Sequence, residues 1–427
     1  MKLPVSTIEE VSARQLCTGC GACASVEPDR FRMGDALEYG RRPFLVNHPA
    51  AESGDALTVC PGASLEHSFD PSDPELVAEL TEAWGPVYEV WEGYASDEAI
   101  RHAGSSGGAA TALALYCIEQ SGMDGVLHIG ARSDKPYLNE TVYSTSRDQL
   151  LANAGSRYAP ASPCDSLHLI EQADKPSVFI GKPCDAAAVQ RARKLRPELD
   201  KNLGAVIAFF CAGVPSTRGT LELLKQVGVD DPDRVQSLRY RGKGWPGMWT
   251  VSWTDADGNE RTEQRTYAES WGFLQKYRQW RCYICPDHTG EFADIAVGDP
   301  WYRKVKEDEA GSSLIIVRTK HGSELLRAAA EAGYVSLQRN DPSLLPASQP
   351  NLLRARGSLW GRLAVLQLLG AAAPSFKGFK MYQFWIRNLT LREKIQSIVG
   401  TVRRIFRRKL RRAIFVETAE AGCFKDR

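Results

Sequence analysis

The sequence predicts an α/β protein with a mostly parallel sheet, preceded by a small cysteine-rich module and followed by a helical tail. Three observations carry this. Residues 177–181 and 204–210 are short apolar runs of strand length, separated by a helical stretch over 186–195 that Pro197 stops. Strand, helix, strand in that order predicts parallel pairing. Two groups of four cysteines sit in Gly/Pro-rich loops outside these elements, and the stretch from Arg387 to Arg412 is basic and amphipathic.

Residues 1–66 form the first module. Cys17-Thr18-Gly19-Cys20-Gly21-Ala22-Cys23 gives two C-x2-C steps in succession, completed by a remote Cys60-Pro61. This resembles the ligand set of one half of a bacterial-type ferredoxin, so Cys17, Cys20, Cys23 and Cys60 are expected to hold a 4Fe-4S cluster. Small Gly19, Gly21 and Ala22 keep the loop tight. Zinc is the competing ligand, because four-thiolate zinc sites also use C-x2-C pairs, although three cysteines in one run suit a cubane better.

Residues 70–86, with three prolines and many acids, read as a linker. A globular region begins at Val87 with a short alternating strand. Ser105-Ser106-Gly107-Gly108 then runs into an apolar helix over 109–118, and 124–131 is a buried-strand candidate. The expected domains are 87–165 and 166–340, with the helical basic tail over 341–427.

A second cysteine set stands on the predicted strands. Gly181-Lys182-Pro183-Cys184-Asp185 follows the first, Cys211-Ala212-Gly213-Val214-Pro215-Ser216 follows the second, and Arg281-Cys282-Tyr283-Ile284-Cys285-Pro286 adds a C-x2-C pair. Ligands of open α/β sheets bind outside the carboxyl ends of strands. Cys184, Cys211, Cys282 and Cys285 are therefore expected to ligate a second cluster, the alternative being that Cys184 and Cys211 are buried small residues. Cys117 reads as core, Cys423 lies in the tail, and Cys164 stays unassigned.

Composition fits a redox protein of reducing surroundings. At 427 residues the chain has room for two or three domains, and 11 cysteines are too few and odd in number for a disulfide-dense secreted scaffold. The first residues lack a signal-peptide apolar core, no apolar run is long enough to span a membrane, and the formal net charge is +1. A cytoplasmic protein without a nucleic-acid partner is expected.

These residues bring a resemblance into view. Arg101-His102-Ala103-Gly104-Ser105-Ser106-Gly107-Gly108, Gly181 to Asp185, Phe210 to Ser216, Tyr240 to Gly247, Cys282 to Asp287 and Ala293 to Asp299 occur in one order over roughly residues 87–335. The chain resembles the coenzyme F420 hydrogenase/dehydrogenase beta-subunit family, which includes flavin- and iron–sulfur-dependent chlorophyll-pigment reductases. The resemblance implies a noncovalent FAD beside a 4Fe-4S cluster. The residues suit a flavin. Ser105, Ser106, Gly107 and Gly108 at a helix start offer N–H groups and hydroxyls to a pyrophosphate. Arg101, Arg239, Arg241 and Lys243 supply cations in glycine-broken loops. Tyr158, in Gly155-Ser156-Arg157-Tyr158-Ala159-Pro160, and Lys182 belong to stretches that resemble family loops. Asp299 and Trp301 fit the same site or a structural role equally.

The expected function is an FAD- and 4Fe-4S-dependent oxidoreductase. Electrons pass from an external donor, with ferredoxin favoured, through the two clusters to FAD and on to an unidentified substrate. The alternatives are a coenzyme F420-oxidising electron-input subunit and a zinc-stabilised binding protein without redox activity. In the tail, ten Lys/Arg and one acid, Glu393, accompany Leu391, Ile395, Ile398, Val399, Val402, Ile405, Phe406 and Leu410, spaced by threes and fours. Such a helix suits the inner face of an anionic membrane, or docking on the protein's own body or on an acidic donor.

Overall fold

The computed structural model describes residues 5–46, 54–305 and 309–416; Cys423 lies outside them. In chain order the strands are β1 (Phe31–Ala36) and β2 (Gly40–Leu45), an antiparallel hairpin, then β3 (Ser64–Glu66), β4 (Glu89–Ala95), β5 (Val126–Ala131), β6 (Asn139–Ser144), β7 (Ser177–Gly181) and β8 (Leu203–Phe209). Next, β9 (Val235–Arg239), β10 (Met248–Thr254) and β11 (Glu260–Thr266) form a separate antiparallel sheet. β12 (Ile295–Gly298), β13 (Ser313–Val317), β14 (Val335–Arg339) and β15 (Ser375–Lys377) follow.

The central sheet has the order β14-β4-β13-β12-β8-β7-β5-β6. Its centre, β12-β8-β7-β5, is parallel as the strand–helix–strand pattern requires, and antiparallel strands flank it. Alternate residues go to opposite faces because the side-chain period of a strand is two. Leu127, Phe179, Val206, Ala296 and Ile316 join the core under the helix Pro183–Ala192. Their neighbours Val126, Val178, Ile207, Ile295 and Ile315 join the core under Ala109–Glu119 and Lys320–Glu331. Burial on both faces explains why these strands read as continuous apolar runs. Each fully buried aliphatic side chain contributes about 1.5–3 kcal/mol.

The structure differs from the sequence expectation at several points. The helix after β7 starts at Pro183 rather than Ala186, with proline in its first turn and the Asp185 carboxylate accepting from the Lys182 N–H at 3.0 Å. The supposed linker contains a helix, Ala78–Trp84, that buries Leu80, Ala83 and Trp84 while Glu79 faces water. The cysteine-rich segment shares its core with the rest of the chain: Cys17, Cys23 and Cys60 pack with Trp280, Ile284, Leu359 and Ile405. The tail is helical but docked, and β15 pairs in parallel with β3.

Candidate functional site

The carboxyl ends of β7, β8 and β12 open into a cavity of about 270 Å³. Its floor comes from Ile180-Gly181-Lys182, Phe209 to Val214 and Val297-Gly298-Asp299, and one wall from the start of the helix Ala109–Glu119. Gly108, at φ 72°, turns the chain into that helix; a Cβ there would come within 2.7 Å of the Ile100 carbonyl oxygen. No side chain caps this helix end, and Ala109, Ala110 and Thr111 of its first turn line the cavity. Uncapped first-turn N–H groups and the helix dipole make such an end suited to an anion. Ser105 and Ser106 lie beside it. Gly107 does not line the cavity, because its N–H donates to Ser313 Oγ at 2.9 Å.

Arg241 organises the opposite wall. It is buried, and its guanidinium donates to both Asp299 oxygens at 2.7 and 2.9 Å, to the Pro246 carbonyl at 2.8 Å, to the Tyr158 hydroxyl at 3.3 Å and to the Ser105 carbonyl. Burial opposes its charge, yet Asp299 outweighs that cost and holds the guanidinium well above its ordinary pKa. Trp245 Nε1 also donates to Asp299, at 2.8 Å. Trp301 stacks between Trp245 and Tyr267, with centroids 5.4 and 5.7 Å away. Tyr267, Trp271 and Trp301 thereby give the cavity an aromatic side suited to a flat ring.

The other expected cofactor residues divide. Tyr158 and Lys182 line the cavity. Lys182 Nζ lies 2.6 and 2.9 Å from the Asp185 carboxylate oxygens. Burial disfavours its charge, but Asp185 and the neighbouring Cys184 and Cys211 hold its pKa above the ordinary value. Arg101, Arg239 and Lys243 are not among the lining residues. Arg101 donates to the Gly311 carbonyl and lies 3.6 Å over the Tyr94 ring; Arg239 turns to the Ala154 carbonyl at 3.5 Å; Lys243 is exposed. Sequence reasoning does not reach Tyr267, Trp271 or the tail's Gln349, whose amide donates to the Asp299 carbonyl at 2.7 Å. Tyr267 and Trp271 sit within a helix, Tyr267–Leu274, that carries no motif.

Each cysteine set converges. Cys17, Cys20, Cys23 and Cys60, all buried, wall one small cavity together with Ile8, Val11 and Met33. Gly19 and Gly21 at φ 75° and 94° turn the loop, and the Gly19 N–H donates to Cys17 Sγ at 3.3 Å. Burial, with the neighbouring cysteines adding to it, raises the Cys20 thiol to about 12 and the Cys60 thiol to about 11. In the second set, Cys184 feels Cys285 and Cys211, and Cys211 feels Cys282 and Cys285. Cys211 also lines the large cavity, so this set borders it. Among the described residues, no group of three or more His, Cys, Asp or Glu is arranged to hold a single metal ion. In the first set, four buried thiols around one small, largely apolar cavity fit the donor set of a cluster.

The two sets are joined by the chain. Arg281, beside Cys282, donates to the carbonyl of Pro61, beside Cys60, at 2.9 Å. Arg42 donates to Gln279 at 3.1 Å, and the Cys164 N–H donates to the Cys20 carbonyl at 2.9 Å while its thiol meets the Asp185 carbonyl at 3.5 Å. Cys164 thus sits in the seam between the sets, whereas Cys117 is fully buried core.

Two models of the coenzyme F420 hydrogenase/dehydrogenase beta subunit match the chain, the N-terminal one over residues 90–168 and the C-terminal one over residues 174–343. The beta subunit of F420-dependent formate dehydrogenase 1 from Methanococcus maripaludis is 28% identical over 255 residues, covering 60% of this chain and 62% of that protein. The F subunit of the F(420)H(2) dehydrogenase from Methanosarcina mazei is 25% identical over 385 residues, 88% of this chain and 96% of that one. A chain in the structure of the F420-reducing [NiFe] hydrogenase complex from Methanosarcina barkeri superposes with a TM-score of 0.51 at 22% identity, covering 66% of this chain and 94% of that one, which speaks to the fold. The uncapped helix end, the strand-end cysteines and the Arg241–Asp299 wall all fall inside the matched stretches: the chain belongs to the coenzyme F420 hydrogenase/dehydrogenase beta-subunit family.

Proposed function

We propose that the chain is an oxidoreductase that binds FAD in the strand-end cavity and two 4Fe-4S clusters on its two cysteine sets. Cys17, Cys20, Cys23 and Cys60 would hold the cluster that accepts electrons from an external donor, with ferredoxin favoured, and Cys184, Cys211, Cys282 and Cys285 would hold the one beside the cavity. The observation that carries this reading is Cys211, which belongs to the second set and also lines the cavity. Bound FAD would supply the two-electron hydride step that one-electron clusters lack.

The chain's own residues fill the remaining roles. The helix start at Ala109 with Ser105 and Ser106 would bind the pyrophosphate, and Tyr267, Trp271 and Trp301 would cover the ring. Arg241 fixes the loop bearing Ser105 against Asp299, and Lys182 keeps a positive charge beside Cys184 and Cys211.

A second reading is favoured by the names of the relatives, several of which are F420-dependent enzymes or their beta subunits. In it, coenzyme F420 would be the electron donor at the cavity, and the cysteine sets would link the site to a partner enzyme. The test is anaerobic addition of reduced ferredoxin or reduced F420 to purified protein while the flavin absorbance is followed. Bleaching by ferredoxin supports the first reading and bleaching by F420 the second. Colourless protein carrying zinc and no flavin overturns both.

A further inference from the structure

The helix Leu391–Arg407 is mounted the reverse of an ordinary surface helix. At about 100° per residue, Ser397, Thr401 and Ile405 share one side, and these are its buried residues. They lie on the helix Leu359–Leu368 through small groups: a Cβ on Gly361 would come within 2.6 Å of Ser397 Oγ. The adjoining stripe is apolar yet faces outward. Leu391 is 73% exposed, Ile395 52% and Phe406 62%, with Ile398 and Val399 also exposed. An amphipathic surface helix normally buries such a stripe, yet here the protein's own body covers only Val402 and leaves the rest unpartnered.

Cations line one flank of the stripe and continue past the end of the helix. Arg392, Arg403, Arg407, Lys409, Arg411 and Arg412 are exposed. Arg404 and Arg408 turn inward over the Tyr283 ring at 4.7 and 5.2 Å. The helix's one acid, Glu393, is occupied by Arg354 at 2.8 Å and by the Thr390 cap. The segment is anchored at its far end, where the Ile414 N–H donates to the Ala13 carbonyl at 2.9 Å and Gln15 donates to the Arg408 carbonyl at 3.2 Å. Among the described residues no helix is long and apolar enough to cross a membrane.

We propose that this helix is an interfacial anchor that seats the protein on an anionic lipid surface. The apolar stripe would sink into the acyl boundary while the flanking arginines and lysines reach lipid phosphates. Charge complementarity selects the occupant. A second copy would set one cationic flank against another, whereas an anionic leaflet neutralises it.

The experiment is co-sedimentation of the full chain with phosphatidylcholine vesicles, with and without phosphatidylglycerol, at low and high salt. Binding to the phosphatidylglycerol vesicles that weakens in salt is expected. Arg403→Gln with Arg407→Gln should weaken it on the order of 25-fold, each exposed cation being worth about five-fold. Ile395→Glu with Phe406→Glu should abolish it with an unchanged melting curve, since both side chains are exposed. The proposal is overturned by absence of binding, or by binding that either double variant leaves unchanged. It is equally overturned by a wild-type dimer that the second variant dissociates, which makes the stripe a self-association face. Retention on polyglutamate without vesicle binding overturns it in favour of an acidic protein partner.

Discussion

Arg241→Ala tests the arrangement of the cavity most directly. Arg241 is 2% exposed and pairs with Asp299 through two parallel bonds. Removing one partner of a buried pair leaves a desolvated charge and costs about 3–5 kcal/mol, against about 0–1 kcal/mol for an exposed pair. Here the loss also frees the carbonyls of Pro246 and Ser105 and the Tyr158 hydroxyl, so the upper half of that range is expected. Arg241→Met with Asp299→Leu should cost less than Arg241→Ala, because no lone charge remains. The assays are chemical denaturation of cofactor-free protein followed by near-UV circular dichroism, and FAD titration of each variant. Arg241→Lys keeps the charge without the two-pronged geometry, so it should recover part of the stability and little of the FAD affinity. A loss below about 1 kcal/mol with unchanged FAD affinity would refute the reasoning.

Two more outcomes follow from the cysteines and from a buried histidine. Protein purified anaerobically should carry about eight iron atoms per chain, and Cys17→Ser should remove roughly half of them while retaining flavin. Cys184→Ser or Cys282→Ser should instead block electron transfer to the flavin; iron content unchanged by Cys17→Ser would void the assignment of the first set. His128, on β5 at the cavity edge, bonds to Ser144 at 2.8 Å, and burial lowers its pKa from 6.5 to about 4. Between those values the unfolded chain takes up a proton that the folded chain refuses, so stability falls as pH drops through this window. The change amounts to about 3 kcal/mol. His128→Gln should remove this contribution from denaturation midpoints measured across the window, leaving that of His288, which burial lowers likewise to about 4, and an unaltered slope would contradict the burial argument.

The sequence by itself determined whatever depends on short spacing. The run Cys17 to Cys23 and the pair Cys282 and Cys285 predict shared ligand duty, because cysteines separated by two residues in a tight loop can face one centre. The apolar runs of β7 and β8 declare a parallel centre buried on both faces. The Gly108 turn declares a helix start, and the helix begins there. Signals that need distant partners were silent. The helix Ala78–Trp84 looks like linker because prolines and acids surround the three residues that the core claims. Arg101 and Arg241 are equally cationic in sequence, yet packing spends one on Gly311 and Tyr94 and sets the other across the cavity against Asp299.

Tertiary structure alone decided how the pieces meet. Pro61 and Arg281 lie far apart in the chain, and only folding brings their neighbours Cys60 and Cys282 toward one seam. Tyr267, Trp271 and Gln349 reach the cavity from elements without any motif, because aromatic and amide contacts carry no spacing rule. The tail makes the same point from the other side. Helical periodicity places Leu391, Ile395, Ile398 and Phe406 on one stripe, but periodicity is blind to which stripe a neighbour covers. The small residues Gly361, Ser397 and Thr401 allow the closest approach, so the seam of Ser397, Thr401 and Ile405 is buried while Leu391, Ile395 and Phe406 face outward.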